Sequence, residues 1–260
     1  MLDIKANMIP ASRPFLVLGF GQFGHCVSSM LEGKDRTGVL SCVTSVRYAT
    51  QMSEGPKNDM VVLVCDARDS ALVEQAITRA KDFRKNGNYV LAILRVSRSE
   101  NARFPHIDYC TQEFDAYIEV SRHRSANYCA GLVLDVTGML SARQLASVDF
   151  NDIRSVWNNS APLICSIGYG AGPNRAEIAV RKALRSISET DDWSSKIVGM
   201  YVIVSAGRSL TLSETRAATN IPRSLDVGED VYCYLGAYSD DSHGTRVRVT
   251  ILGGCTPPSL

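Results

Sequence analysis

The sequence predicts an α/β fold in two parts: a Rossmann-like parallel sheet, then a long helix leading to a smaller α+β unit. Three observations carry this prediction. In the first half, short apolar runs alternate with helical patterns, as parallel strands with crossover helices require. A helical pattern with few breakers then extends from Arg124 to Leu140. Beyond it, two strand–helix pairs lead into two successive strands, and the last of these alternates apolar and polar residues.

The elements follow in order. Phe15 to Gly19 is an apolar run ending in glycine, and a helical pattern covers Gln22 to Leu31. Gly38 to Val46 reads as a second strand and Met60 to Cys65 as a buried third. Leu72, Val73, Ala76, Ile77 and Ala80 recur at helical spacing between Asp69 and Arg84. Tyr89 to Val96 and Phe114 to Val120 are further strands. After the long helix, Asp149 opens a short helix that ends at Trp157, and Pro162 to Gly168 is a strand. A helix is expected from Pro173 to Ile187, with the proline in its first turn, where no N–H is needed. Ile197 to Val204, Asp230 to Tyr238 and Thr245 to Leu252 are strands, and Leu212 to Ala218 is helical. Along the last strand Val247, Val249 and Ile251 alternate with Arg246, Arg248 and Thr250, which predicts one buried face and places the arginines toward solvent.

Composition narrows the function. The 28 Lys and Arg balance 27 Asp and Glu to a net charge of +1, so there is no electrostatic footprint for nucleic acid. No apolar run approaches the roughly 20 residues that span a bilayer. Met1 to Arg13 lacks the apolar core of a signal peptide, so a cytoplasmic protein without a membrane segment is expected. None of the eight cysteines forms a C-x-x-C pair, and the four histidines are scattered, so no metal site is predicted. Cysteines inside apolar runs, such as Cys65 and Cys165, read as small buried hydrophobes.

Gly19, Gly21 and Gly24 form a G-x-G-x-x-G loop between a strand and a helix, with Phe20, Gln22 and Phe23 interleaved. Such a loop lets backbone approach an anion at a helix N-terminus. Three readings compete: a nucleotide phosphate loop, a Rossmann dinucleotide site, and a turn that only packs helix on strand. The dinucleotide reading wants an acidic residue at the end of the second strand. That region reads Ser45, Val46, Arg47, Tyr48, which disfavours NAD, although Arg47 would suit a phosphorylated ribose.

Four stretches add a resemblance: Leu145 to Ile153, Asn174 to Glu177, Leu210 to Glu214 and Gly244 to Thr250. Each resembles a landmark of FtsZ, the bacterial tubulin-like division GTPase, in the same order and at similar spacing. The resemblance implies a reduced GTPase-type domain over residues 1–121, a connecting helix and loop over 122–157, and an FtsZ C-terminal-type α+β domain over 158–260. It implies GTP or GDP as ligand, with Gly19, Gly21, Gln22, Phe23 and Gly24 as the first phosphate loop and Asn127 near the base. In FtsZ a second glycine-rich loop follows a later strand. Here the residues after Cys65 are Asp66, Ala67, Arg68, Asp69 and Ser70, without glycine. Two carboxylates stand where phosphates would sit, so GTP binding and hydrolysis are expected to be weak or lost.

Ser147 to Asp152 resembles the FtsZ synergy loop, which reaches the nucleotide of the next subunit in a filament. Asp149 and Asp152 would there orient the attacking water. The same aspartates equally suit a helix cap and first turn. The sequence ends soon after Leu252, so the resemblance predicts no tail peptide of the kind with which FtsZ grips membrane adaptors. The expected activity is assembly, as a homo-oligomer or filament or with an FtsZ-like partner. The alternatives are a GTPase with a rebuilt phosphate site and a Rossmann-type nucleotide-binding regulatory module.

Overall fold

The computed structural model describes residues 15–32, 40–43, 60–96, 111–140, 144–146, 150–157, 163–188, 197–223 and 231–255. The first half contains β1 (Phe15–Gly19), α1 (Gly21–Glu32), β2 (Leu40–Val43), β3 (Met60–Asp66), α2 (Ser70–Lys85), β4 (Tyr89–Val96) and β5 (Ala116–Ser121). Its five strands are parallel, in the order β2-β1-β3-β4-β5. Both faces are buried: Phe15 and Val17 point into one apolar cluster, and Leu16 and Leu18 into another under α2. That is why these strands read as continuous apolar runs.

The connecting helix α3 (Ala126–Leu140) begins where Ser125 accepts the Tyr128 N–H at 3.3 Å. It is buried nearly all round, as an element between two layers must be. The second half contains β6 (Gln144–Ala146), α4 (Phe150–Trp157), β7 (Ile164–Gly170), α5 (Arg175–Ser188), β8 (Ile197–Ala206), α6 (Leu212–Arg223), β9 (Tyr232–Ser239) and β10 (Val247–Cys255). The second sheet runs β6-β9-β8-β10-β7, with β8 and β9 parallel and the other pairs antiparallel. Helices α5 and α6 pack on one face, while α3 and α4 cover the other. The two sheets share one apolar core through α1, α3 and α4. A further join is direct: the Leu163 N–H donates to the Tyr117 carbonyl at 2.8 Å, just before β7.

Three expectations need correction. Arg248 does not face solvent: it is 5% exposed, because α3 covers the second face of β10 as well. Pro173 lies in the turn before α5, and Asn174 adopts a left-handed φ of 57° there, so the helix starts only at Arg175. The three-residue strand β6, which pairs with β9 at Tyr238 and Ala237, was not foreseen, since so short a run carries no periodic signal.

Candidate nucleotide cleft

At the end of β1 the glycine loop is pressed against its own fold. A Cβ on Gly24 would lie 2.4 Å from the Val64 carbonyl oxygen, and one on Gly19 would lie 2.1 Å from the Gly24 oxygen. The Phe20 N–H already donates to Val64 O at 2.9 Å. Gly21, at φ 66°, faces Leu72 of α2, whose Cδ1 sits 2.4 Å from where a Cβ would be. The close backbone approach that glycine permits is therefore used to seat α1 on β1 and β3.

Across the cleft the β3–α2 turn satisfies itself. Asp69 caps α2, accepting from the N–H groups of Ala71 at 3.1 Å and Leu72 at 3.3 Å. Asp66 accepts from the Arg68 backbone N–H at 3.2 Å, from Arg68 Nε at 2.7 Å, and from Arg68 Nη2. The hydrogen bonds from the Arg68 side chain hold the Asp66 carboxyl below its usual range. Arg95 of β4 lies over the Phe23 ring at 4.4 Å, with its Nε 3.7 Å from Asp66, at ion-pair rather than hydrogen-bond distance. Together these groups border a cavity of 560 Å³, lined by Gln22, Phe23 and Cys26 of α1, by Asp66, Arg68, Asp69 and Leu72, and by Arg95 and Ala126. Its two arginines face two aspartates, so the lining carries no net charge.

The sequence-predicted residues are thus partly brought together. Gln22 and Phe23 line the cleft; Gly21 lies beneath Leu72; Gly19 and Gly24 are in the packing behind it. Asn127 lines a different cavity, of 340 Å³, between α3 and the second sheet. Asp152 is in the first turn of α4, away from the residues that line the cleft, and its carbonyl accepts from Ser155 Oγ at 2.7 Å. Asp149 lies outside the described residues, as do Ser147 and Val148 and the Ser45 to Tyr48 stretch. Among the described residues no cluster of His, Cys, Asp and Glu could hold a metal ion, and no helix is long and apolar enough to cross a membrane.

Two polar clusters escaped the sequence reading. Beside the second cavity, Asp135 of α3 is 1% exposed and lies 2.6 Å from Arg248 Nη2, an approach close enough for an ion pair although poorly angled for a hydrogen bond. It also accepts from Tyr238 OH at 2.7 Å and Thr250 Oγ1 at 2.6 Å, while Arg248 Nη1 donates to Tyr169 OH at 3.0 Å. The second cluster joins three of the four resemblance stretches. Arg175 donates to Glu214 at 2.6 and 3.2 Å, to the Thr245 carbonyl at 2.8 Å and to the Ser209 carbonyl at 3.0 Å. Glu214 and Thr211 meanwhile exchange capping-box bonds at the start of α6, at 2.9 and 3.2 Å.

Comparison with known proteins agrees with this geometry. No family model matches the chain. The curated FtsZ of Porphyromonas gingivalis is 24% identical over 180 residues, which cover 68% of this chain and 36% of that protein. FtsZ of Rhizobium radiobacter is 30% identical over 118 residues, covering 45% of this chain and 20% of that one. The matches thus span about a third or less of these relatives' length. Among solved structures, an empty FtsZ dimer from M. jannaschii superposes with a TM-score of 0.75 at 18% identity, over 92% of this chain and 87% of that one. CetZ from Methanosaeta thermophila gives 0.63 at 13% identity, over 94% and 87%. The chain is a divergent FtsZ/tubulin-like protein. Its FtsZ-like fold includes both sheets, so the likeness is not confined to the second half, where the motifs lie.

Proposed function

We propose that this FtsZ-like chain acts through assembly, with itself or with a filament-forming FtsZ-like partner, and that GTP binding and hydrolysis are weak or lost. The observation that carries this reading is the β3–α2 turn. Its helix N-terminus is closed by Asp69 and its free carboxylate is held by Arg68, so the groups a phosphate would need are already engaged. In this reading the chain divides as residues 1–121, 122–157 and 158–260. Gly19, Gly21, Gln22, Phe23 and Gly24 then keep the outline of a first phosphate loop without the second, while Asn127, the base-side candidate, lines another cavity.

Asp149 and Asp152 fit this proposal as a loop that docks on the nucleotide of an intact FtsZ in a mixed filament, since a carboxylate can orient water. Titration with a fluorescent GTP analogue, with sedimentation in the presence and absence of GTP and of an FtsZ, tests the proposal. The expected result is pelleting that does not depend on GTP, or co-pelleting with FtsZ, without saturable nucleotide binding. Saturable GTP binding with turnover by the chain alone would establish the GTPase reading instead. Saturable binding of NAD or NADP alone would establish a regulatory module. Absence of any pelleting would end the assembly proposal.

A further inference from the structure

The turn between β9 and β10 carries a histidine that the nucleotide cleft does not use. The His243 side chain is only 14% exposed and borders the 340 Å³ cavity beside α3. Its Nε2 lies 3.1 Å from Oγ of the fully buried Ser205 and 3.5 Å from the Asp240 carboxylate. Ser205 also shares a hydrogen bond with the Tyr238 hydroxyl, which donates to Asp135 at 2.7 Å. One direction of donors satisfies every member: His243 Nε2–H to Ser205, Ser205 to Tyr238, and Tyr238 to Asp135. This relay ties the turn to α3 through a neutral ring that donates from Nε2.

The charges around the ring are already balanced. Asp135 of α3 and Asp240 of the turn face Arg246, just before β10, and Arg248 within it. Strands β7 and β9 contribute only the hydroxyls of Tyr169 and Tyr238. In the loop after β8, Arg208 pairs with Asp241 of the turn at 3.3 Å. A second proton on His243 would add an unbalanced positive charge inside this shell. Burial opposes that proton and, with Arg248 and Arg246, outweighs the pull of Asp240 and Asp135, so the imidazole is held below its ordinary value. We propose that His243 is an acid-sensitive latch: neutral, it closes the relay from the turn to α3, and protonated, it releases the turn and opens the cavity. The latch lies on the second sheet and is independent of assembly and of nucleotide.

NMR titration of the full chain, with hydrogen exchange at about pH 7 and about pH 5, tests the latch. The His243 midpoint is expected below its ordinary 6.5. Asp240→Asn, which removes a carboxylate beside the ring, should lower it further. The amides of Asp240, His243, Gly244 and Arg246 all have backbone acceptors in or beside the turn. A group of ordinary pKa about 6.5 favours its charged form about thirtyfold at about pH 5, which bounds the effect. Corrected for intrinsic rates, exchange at these amides should therefore quicken by about threefold to thirtyfold on acidification. His243→Gln keeps a donor for Ser205 but takes no proton, so it should not quicken in this way. Three outcomes overturn the inference: a midpoint at or above 6.5, a midpoint that Asp240→Asn leaves unchanged or raises, or equal quickening, or none, in the parent and His243→Gln. The first two need no change at residue 243, so they decide the matter even where that variant does not fold.

Discussion

Replacing Arg248 by methionine removes the charge that balances Asp135 while keeping much of the side-chain volume. Asp135, 1% exposed, would retain only the hydroxyls of Tyr238 and Thr250 as donors. Removing one partner of a buried pair costs about 3–5 kcal/mol, because the remaining ion is left uncompensated. For a chain of this size about 3 kcal/mol lowers Tm by roughly 6–12 °C. Asp135→Leu should cost a similar amount, since it strands the guanidinium among Tyr169, Tyr238 and the backbone of Gly131, where no Cβ fits beside it. The double variant should be less destabilised than the sum of the singles, with a coupling of about 2–3 kcal/mol. Urea denaturation followed by circular dichroism measures all three. If the singles add to the double within about 0.5 kcal/mol, or Arg248→Met costs under about 1 kcal/mol, the pair does not join α3 to the second sheet as described.

Asp69→Ala should destabilise by about 1 kcal/mol through loss of the α2 cap, and Asp69→Ser by only a few tenths, read by the same denaturation. Gly24→Ala should cost roughly 1–3 kcal/mol, because the added methyl meets the Val64 carbonyl oxygen rather than a side chain that can move away. The hydrogen bonds from Arg175 hold the Glu214 carboxyl below its ordinary unfolded value of 4.5. A carboxylate with a depressed folded pKa contributes its full stability above that unfolded value and loses it as pH falls through the folded one. Glu214→Gln should therefore lower stability at neutral pH and flatten the decline below about pH 4.5, seen in Tm against pH; an unchanged acid slope would remove Glu214 from that role.

The strands and most helices were legible because burial writes a period into the chain. Tyr89–Val96 agrees with the sequence reading at both ends, and α2 begins one residue after the aspartate that caps it. The reading of β10 went wrong for a physical reason. Alternation of Val with Arg and Thr signals one wet face only if nothing covers the other, and here α3 supplies Asp135 as an internal counter-charge. A charge in α3 itself, Asp135 amid Leu132, Val133 and Val136, was the signal that an arginine must come to it. The Arg175–Glu214 clamp was visible only as motif: its members are 39 residues apart, and no local pattern pairs them. Asn127 shows the limit of alignment at a helix start. Its neighbour Ala126 lines the nucleotide-side cleft, while Asn127, one residue later on the helix, lines the cavity toward the second sheet.

The glycine loop and the β3–α2 turn bear on the same question from opposite sides. Retained glycines do not imply a ligand, since Gly19 and Gly24 are required by contacts of the chain with itself. The turn, by contrast, opposes one. A phosphate at the start of α2 would displace the Asp69 cap, at about 1 kcal/mol. It would also come near Asp66, where like unit charges about 4 Å apart repel by about 4 kcal/mol at the effective dielectric of a protein surface. Arg68 offsets part of this, but only by leaving the carboxylate that it now grips. The combined variant Asp66→Asn, Asp69→Gly removes both obstacles and releases Arg68 toward the cleft, so affinity for GTP should rise at least about tenfold. Equal and negligible binding by parent and variant would mean that something other than these two carboxylates closes the site. Tight binding by the parent would mean that it was never closed.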